Sequence, residues 1–169
     1  MTSKPFETLY AEHEIILAAI ARLQALLAKP DLAPVAGELK QLIAFFREYG
    51  DGYHHQKEEN VLFPALLESN SSIGVMVESL TDHHQLFRDM LGEADASCAK
   101  GDWKTLERQL RTYAGDLVDH IGAENDELFV AAEDLLSDND KERIGFQFED
   151  ADRERGAANK LLLEAIAAQ

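Results

Sequence analysis

The sequence has little of what disulfide-bonded, membrane-bound or nucleic-acid-binding proteins need. Its 169 residues include a single cysteine, Cys98, so no disulfide bond can form within the chain. Basic residues number 16 against 32 acidic ones, and the resulting net charge of −16 repels phosphate backbones and anionic lipid surfaces. No apolar run is long enough to cross a membrane, and the first residues lack the apolar core of a signal peptide. We therefore expect a cytoplasmic protein with neither a nucleic-acid nor a membrane partner.

Proline is scarce as well, and the alternating pattern of β-strands is absent, whereas apolar residues recur every three or four positions along nearly the whole chain. This spacing predicts amphipathic helices. Five helical segments are predicted, over about 5–29, 34–68, 73–99, 103–136 and 141–169. Short connections between the first four predict an all-α, up-down-up-down four-helix bundle over residues 1–136. Residues 137–169 predict an additional C-terminal helix that packs on the bundle or on a partner chain, where it would support a homodimer.

One pattern occurs twice, in the second and the fourth predicted helix. The two sequences are HHQKEENVLFPA, from 54 to 65, and HIGAENDELFVA, from 120 to 131. Histidine, glutamate, leucine, phenylalanine and alanine recur in them at the same five offsets. Residues four apart lie on the same face of a helix, so His54 and Glu58 point in one direction, as do His120 and Glu124. The repeat therefore places two imidazoles and two carboxylates on the inner faces of two helices.

The first and third predicted helices each add a histidine on the apolar stripe. In the first helix it is His13, and in the third the period fits both His83 and His84. Burying several histidines and two carboxylates in one core is costly unless they are paired or bound to a cation. Bundle cores hold metal ions with side chains from facing helices, and this donor set suits two first-row metals. The pattern thus favours a metal site over a purely structural role for these side chains.

These residues resemble the hemerythrin-like, or HHE cation-binding, domain family. The resemblance covers about residues 6–136 and rests on Glu12-His13, the run from His54 to Pro64, Asp82-His83-His84 with Arg88, and His120 to Glu124 with Leu128 and Phe129. It implies that His13, His54, Glu58, His84, His120 and Glu124 bind a non-heme di-iron centre. In the family an oxo or hydroxo bridge joins the two iron ions and two carboxylates span them; zinc or manganese would fit the same ligands.

One position departs from the oxygen-carrying members of the family. They have a further histidine four residues after the ligand of the third helix, where this chain has Arg88. The spacing to Arg88 favours His84 over His83 as the ligand. One iron is then expected to be short of a protein ligand unless His55 or His83 takes that place. In an α-helix His55 and Glu59 lie one residue, about 100° of helix turn, beyond the preferred pair, which indicates an outer-layer or surface position.

An open position on one iron favours small-ligand chemistry. The sequence therefore predicts a sensor, store or stress-response protein that binds O₂, nitric oxide or hydrogen peroxide. Two alternatives stand beside this prediction. One is a di-iron enzyme that reduces peroxide or nitric oxide, and the other is an iron-storage or iron-donation protein related to those of iron–sulfur cluster repair.

Overall fold

The computed structural model describes residues 2–168, and over this range the chain forms six helices and no strand. The helices are α1 (Lys4–Leu27), α2 (36–69), α3 (Gly74–Lys100), α4 (103–135), α5 (Asp138–Arg155) and α6 (Ala157–Ala167). The predicted all-α fold is confirmed.

The turns before α4 and α5 carry side-chain helix caps. Gly101 ends α3 with a φ of +70°, in the left-handed region that glycine adopts at low cost. The side chain of Asp102 then accepts a hydrogen bond from the backbone N–H of Thr105, at 3.2 Å, and so begins α4. The side chain of Ser137 likewise accepts a hydrogen bond from the N–H of Asp140 at the start of α5. These caps mark the points where the chain turns from α3 into α4 and from α4 into α5.

The interior of the bundle consists of two apolar regions with a polar layer between them. The upper core contains, among others, Phe6, Leu9, Leu62, Phe63, Val77, Leu80, Leu128, Phe129, Ile144 and Phe148. The lower core contains, among others, Ile16, Ile20, Leu39, Ile43, Phe46, Tyr49, Phe87, Leu91, Leu106, Leu110 and Leu117. The polar layer contains the buried histidines and glutamates.

The order in which each helix meets these regions gives its direction. α1 passes from the upper core through His13 to the lower core, and α2 returns through His54 to the upper core. α3 descends again through His84, and α4 ascends through His120. The bundle is thus up-down-up-down, and each of its four helices contributes a histidine at the same level.

Two helices widen where they pass the polar layer. The stretches Phe46–His55 and Glu58–Leu62 of α2 and Glu124–Leu128 of α4 are π-helical. A π turn holds more residues than an α turn and shifts the direction of the side chains that follow, and such turns are frequent at functional sites. Pro64 follows the wide turn in α2, but Val130 stands at the same offset in α4. What the last two wide turns share is a buried glutamate as their first residue.

The C-terminal segment packs on the outside of the bundle, along α1 and α2. Ile144 and Phe148 of α5 join the upper core, and Leu163 and Ala167 of α6 join the lower core. The segment is helical as predicted, but it consists of two helices because Gly156 adopts a φ of +112°, which residues with a side chain rarely adopt. Between Thr2 and Ala168, none of the helices combines the length and the apolar character that crossing a membrane requires.

Candidate metal centre

Seven buried side chains from the four bundle helices meet in the polar layer, in two groups. In each group the atoms available as ligands lie within 4.8 Å of one another. The first group consists of His13, His54, Glu58 and Glu124, and the second consists of His55, His84 and His120. All seven are at most 3 % exposed. The structure therefore brings together all six residues that the sequence singled out, and it adds His55.

The two glutamates lie between the groups. One carboxylate oxygen of Glu58 is 3.6 Å from Nε2 of His54, and the other is 3.5 Å from Nε2 of His84. One oxygen of Glu124 is 3.2 Å from Nε2 of His13, and the other is 3.1 Å from Nε2 of His120. Each carboxylate thus faces a histidine of the first group with one oxygen and a histidine of the second group with the other.

Most of the inward-facing atoms of the first group have no hydrogen-bond partner within the part of the chain that the structure describes. These atoms are Nε2 of His13, Nε2 of His54 and all four carboxylate oxygens of Glu58 and Glu124. A buried polar atom without a partner costs free energy, and six such atoms in one place would strongly destabilise a protein core. Nitrogen and oxygen atoms in this arrangement are a donor set for first-row metal ions, so the residues fit a metal centre.

Three of the five histidines in the two groups are held in the neutral form that metal binding requires. Burial and the neighbouring His13 lower the pKa of His54 to about 4. Burial and the nearby His84 hold the pKa of His55 well below its ordinary value, and burial also lowers the pKa of His120. At neutral pH these three imidazoles therefore offer a lone pair without first losing a proton.

The two carboxylates behave differently because they share one site. Burial and the adjacent charge of Glu124 raise the pKa of Glu58 well above its ordinary value. Burial would also raise the pKa of Glu124, but His120 and two further histidines hold it well below the ordinary value. Without a bound cation only one of the two glutamates is readily ionised, as expected for two like charges in one cavity.

Each histidine of the first group is fixed from outside through its other ring nitrogen. Nδ1 of His13 donates to the side-chain oxygen of Asn125 at 2.7 Å, and Nδ1 of His54 donates to Glu12 at 3.0 Å. Glu12 is itself buried, and it accepts a hydrogen bond from Nζ of Lys57 at 2.7 Å. Outer partners of this kind orient metal-binding histidines and select their tautomer.

Arg88 organises the outside of the second group. Its guanidinium donates to Asp51 at 2.8 Å and to Glu59 at 2.6 Å. Glu59 accepts a hydrogen bond from Nδ1 of His84 at 2.8 Å, and Asp51 lies 3.5 Å from Nδ1 of His55. Arg88 therefore acts on two histidines at once, through one carboxylate each. At the position where this chain departs from the oxygen-carrying members of the family, it thus has a residue that contacts the histidines only through carboxylates.

The structure distinguishes the paired histidines. His84 is fully buried, with its Nε2 3.0 Å from Nε2 of His120, whereas His83 is exposed and only its Nδ1 approaches Nδ1 of His120, at 3.4 Å. His55 is buried and its ring stacks on that of His84, with 3.8 Å between the centroids.

The sequence left His55 and His83 open as the residue that would make up for the histidine missing at Arg88, and the structure places His55, not His83, in the second group. Adjacent residues His54 and His55 both reach the interior at the end of the ten-residue π-helical stretch, where the register of an α-helix no longer applies. The sequence signal for His55 was the histidine missing at Arg88, together with the doubled histidine of the motif.

Comparison with known families agrees with this geometry. Residues 4–132 match the model of the hemerythrin HHE cation-binding domain, which is most of the chain. A comparison with curated proteins gives no match. The matched range includes all seven residues of the two groups, and the donor set that the structure assembles is one for cations. The chain belongs to the hemerythrin HHE cation-binding domain family.

Proposed function

We propose that this metal-binding protein holds two iron ions in its polar layer and binds a small ligand, O₂, nitric oxide or hydrogen peroxide, at one of them. The observation that carries the proposal is the position of Glu58 and Glu124. Each is buried, each lacks a hydrogen-bond partner among the described residues, and each faces histidines of both groups. Two carboxylates placed in this way suit a pair of metal ions better than a single one.

The two groups differ by one histidine, and this difference indicates where a small ligand would bind. Three imidazoles, from His55, His84 and His120, would serve one metal ion, and two, from His13 and His54, would serve the other. If both carboxylates are shared, the ion beside His13 and His54 has one protein ligand fewer. Open positions on a metal ion are where exogenous ligands bind. We therefore assign the ligand site to the side of the first group.

Apolar side chains enclose that side. The ring of Phe129 stacks on His13, with 5.4 Å between the centroids, and Tyr10 contacts Phe129 edge-on at 5.3 Å. The hydroxyl of Tyr10 donates to the backbone carbonyl of Asn125, the residue whose side chain holds His13. These contacts exclude bulk water and keep His13 in place, which favours a small uncharged ligand.

Iron would supply reversible one-electron redox chemistry and an open coordination position. The polypeptide supplies neutral imidazoles, two carboxylates and the outer hydrogen bonds that keep both in place. Zinc or manganese would find the same ligands, so metal analysis of the purified protein is the first requirement.

Iron stoichiometry tests the site. The unchanged protein should bind about two iron ions per chain, and Glu58→Ala and Glu124→Ala should each reduce this number because each carboxylate would serve both ions. Glu127→Ala is the matched control, since Glu127 lies on the same turn of α4 as Glu124 and is exposed. Two tightly held iron ions in both site variants would contradict the proposal.

The optical spectrum of the anaerobic ferrous protein tests the function, as O₂ is admitted and then removed. A charge-transfer band that appears and reverses supports binding or sensing. Irreversible oxidation would favour the enzymatic or iron-handling alternative, and steady-state consumption of peroxide and nitric oxide would then separate these two.

A further inference from the structure

The C-terminal helices bring two charged side chains to the outer layer of the metal centre. Nζ of Lys160, in α6, lies 2.5 Å from a carboxylate oxygen of Glu12 and 2.6 Å from one of Asp152, in α5. Nζ of Lys57 lies 2.7 Å from Glu12 and 2.5 Å from Asp152. Two ammonium groups and two carboxylates thus alternate in a closed charge cluster, formed by Glu12, Lys57, Asp152 and Lys160.

This charge cluster contacts a proposed iron ligand, His54. One oxygen of Glu12 accepts hydrogen bonds from Nζ of both lysines, and the other accepts the hydrogen bond from Nδ1 of His54 at 3.0 Å. The side chain of Glu12 is 3 % exposed and that of Lys57 is fully buried. Glu12 therefore accepts hydrogen bonds from one imidazole and two ammonium groups, and its negative charge is balanced by the surrounding cations.

Specific contacts fix the position of the C-terminal helices beside His54. The hydroxyl of Tyr53 donates to the backbone carbonyl of Gly156 at 2.9 Å, at the junction of α5 and α6. The hydroxyl of Tyr49 donates to Glu164 at 3.1 Å. Asp152 and Lys160 lie outside the range 4–132 that the family model matches. This part of the outer layer is thus a feature of this chain beyond the family domain.

We propose that Asp152 and Lys160 are positioning residues of the metal centre, which act through Glu12 on His54 and set the reduction potential of the iron bound there. The inference rests on the proposed function. A carboxylate that accepts a hydrogen bond from a metal-bound histidine makes that histidine a stronger donor. Cations around the carboxylate reduce this effect because they hold part of its negative charge. Lys160 therefore weakens the donation of His54 and favours the ferrous state.

The reduction potential of the iron-loaded, full-length protein tests this inference, by anaerobic spectroelectrochemical titration. We expect Lys160→Met to favour the ferric over the ferrous state about tenfold at one iron, which lowers its one-electron potential by about 59 mV. Lys160→Arg should retain the original potential because the positive charge stays. Lys141→Met is the matched control: Lys141 lies in α5 and is also paired, with Glu133, away from the charge cluster.

A double-variant cycle shows whether Lys160 acts through Glu12. Glu12→Gln alone should raise the potential, and Lys160→Met should have less than about a third of its effect in the Glu12→Gln background, since coupled residues are not additive. Equal shifts in both backgrounds, or equal shifts for Lys160→Met and Lys141→Met, would overturn the inference. Should Lys160→Met fail to fold by circular dichroism, Lys160→Gln takes its place in the cycle. A failure of the unchanged protein to bind iron would instead overturn the proposed function.

Discussion

His55 directly follows His54 in the sequence, and His83 directly precedes His84, yet His55 and His83 lie in opposite surroundings. His55 is buried against His84, whereas His83 is exposed. We expect His55→Ala to weaken the binding of one iron by more than about tenfold, since removal of even an outer hydrogen-bond partner can cost that much. His83→Ala makes the same chemical change and should leave two iron ions per chain. Equilibrium titration with ferrous iron measures both, and equal affinities would remove His55 from the ligand set.

Arg88 supports a second prediction on the same scale. It joins Asp51 and Glu59, and its loss would leave these two carboxylates facing each other without a cation. We expect Arg88→Met to weaken metal binding about 10-fold to 100-fold. Arg88→Lys should give an intermediate affinity because an ammonium lacks the fork geometry of the guanidinium. Arg143→Met removes an exposed ion pair with Asp140 and serves as control; a matching affinity in Arg88→Met would contradict the role given to Arg88.

The sequence could predict some of the proposed metal ligands but not all of them. A regular helical period was enough to propose His13, His54, Glu58, His120 and Glu124, which the structure brings together. The helical period fits both His83 and His84; the spacing to Arg88 favoured His84, and the structure buries His84 and leaves His83 exposed. His55 depends on a π-helical stretch, and a regular period of 3.6 residues does not predict where such a stretch occurs.

At the scale of elements, the break between α5 and α6 is the feature with the clearest consequence. Gly156 adopts φ +112° and ψ +95°, a conformation that is strained for any residue with a side chain. We expect Gly156→Ala to lower the free energy of unfolding by about 1–3 kcal/mol. Urea denaturation followed by circular dichroism measures this change.

The control for this variant has the opposite sign. Gly115 lies within α4, is exposed, and has no neighbour that an added methyl group would meet. Gly115→Ala should leave the protein as stable or stabilise it by up to about 1 kcal/mol. A Gly156→Ala variant as stable as Gly115→Ala would show that the break does not need glycine.

The sequence predicted a helical C-terminal segment but not its division. Apolar residues at helical spacing lie on both sides of Gly156, and a single glycine inside a helix costs only about 1 kcal/mol, so periodicity alone favours one continuous helix. The break follows from docking, because the hydroxyl of Tyr53 hydrogen-bonds to the backbone at that point. Such long-range contacts are outside what local pattern can provide.

At the scale of the whole molecule, the polar layer divides the interior into two apolar regions, and metal binding should link them energetically. Six inward-facing atoms lack hydrogen-bond partners in the described structure, so removal of metal leaves them uncompensated. At a free iron concentration about 1,000 times the dissociation constant, binding stabilises the folded state by about 4 kcal/mol. For a domain of this size this corresponds to a melting temperature about 8–16 °C higher than that of the chelated protein.

Differential scanning calorimetry with and without a chelator measures this shift. The double variant Glu58→Ala/Glu124→Ala should show almost no dependence on the chelator, because it no longer retains the metal. An unchanged melting temperature of the original protein after complete removal of metal would contradict the link between the polar layer and the stability of the bundle.

The charge cluster around Glu12 has a consequence for the evolution of such proteins. Glu12 and Lys57 belong to the bundle, whereas Asp152 and Lys160 belong to the helices that follow it. Lys160 is 148 residues from Glu12 along the chain. A lineage that gains, loses or exchanges these terminal helices changes the surroundings of His54 while every proposed ligand stays the same. Selection would then diversify the chemistry of one ancestral domain by altering what is appended to it.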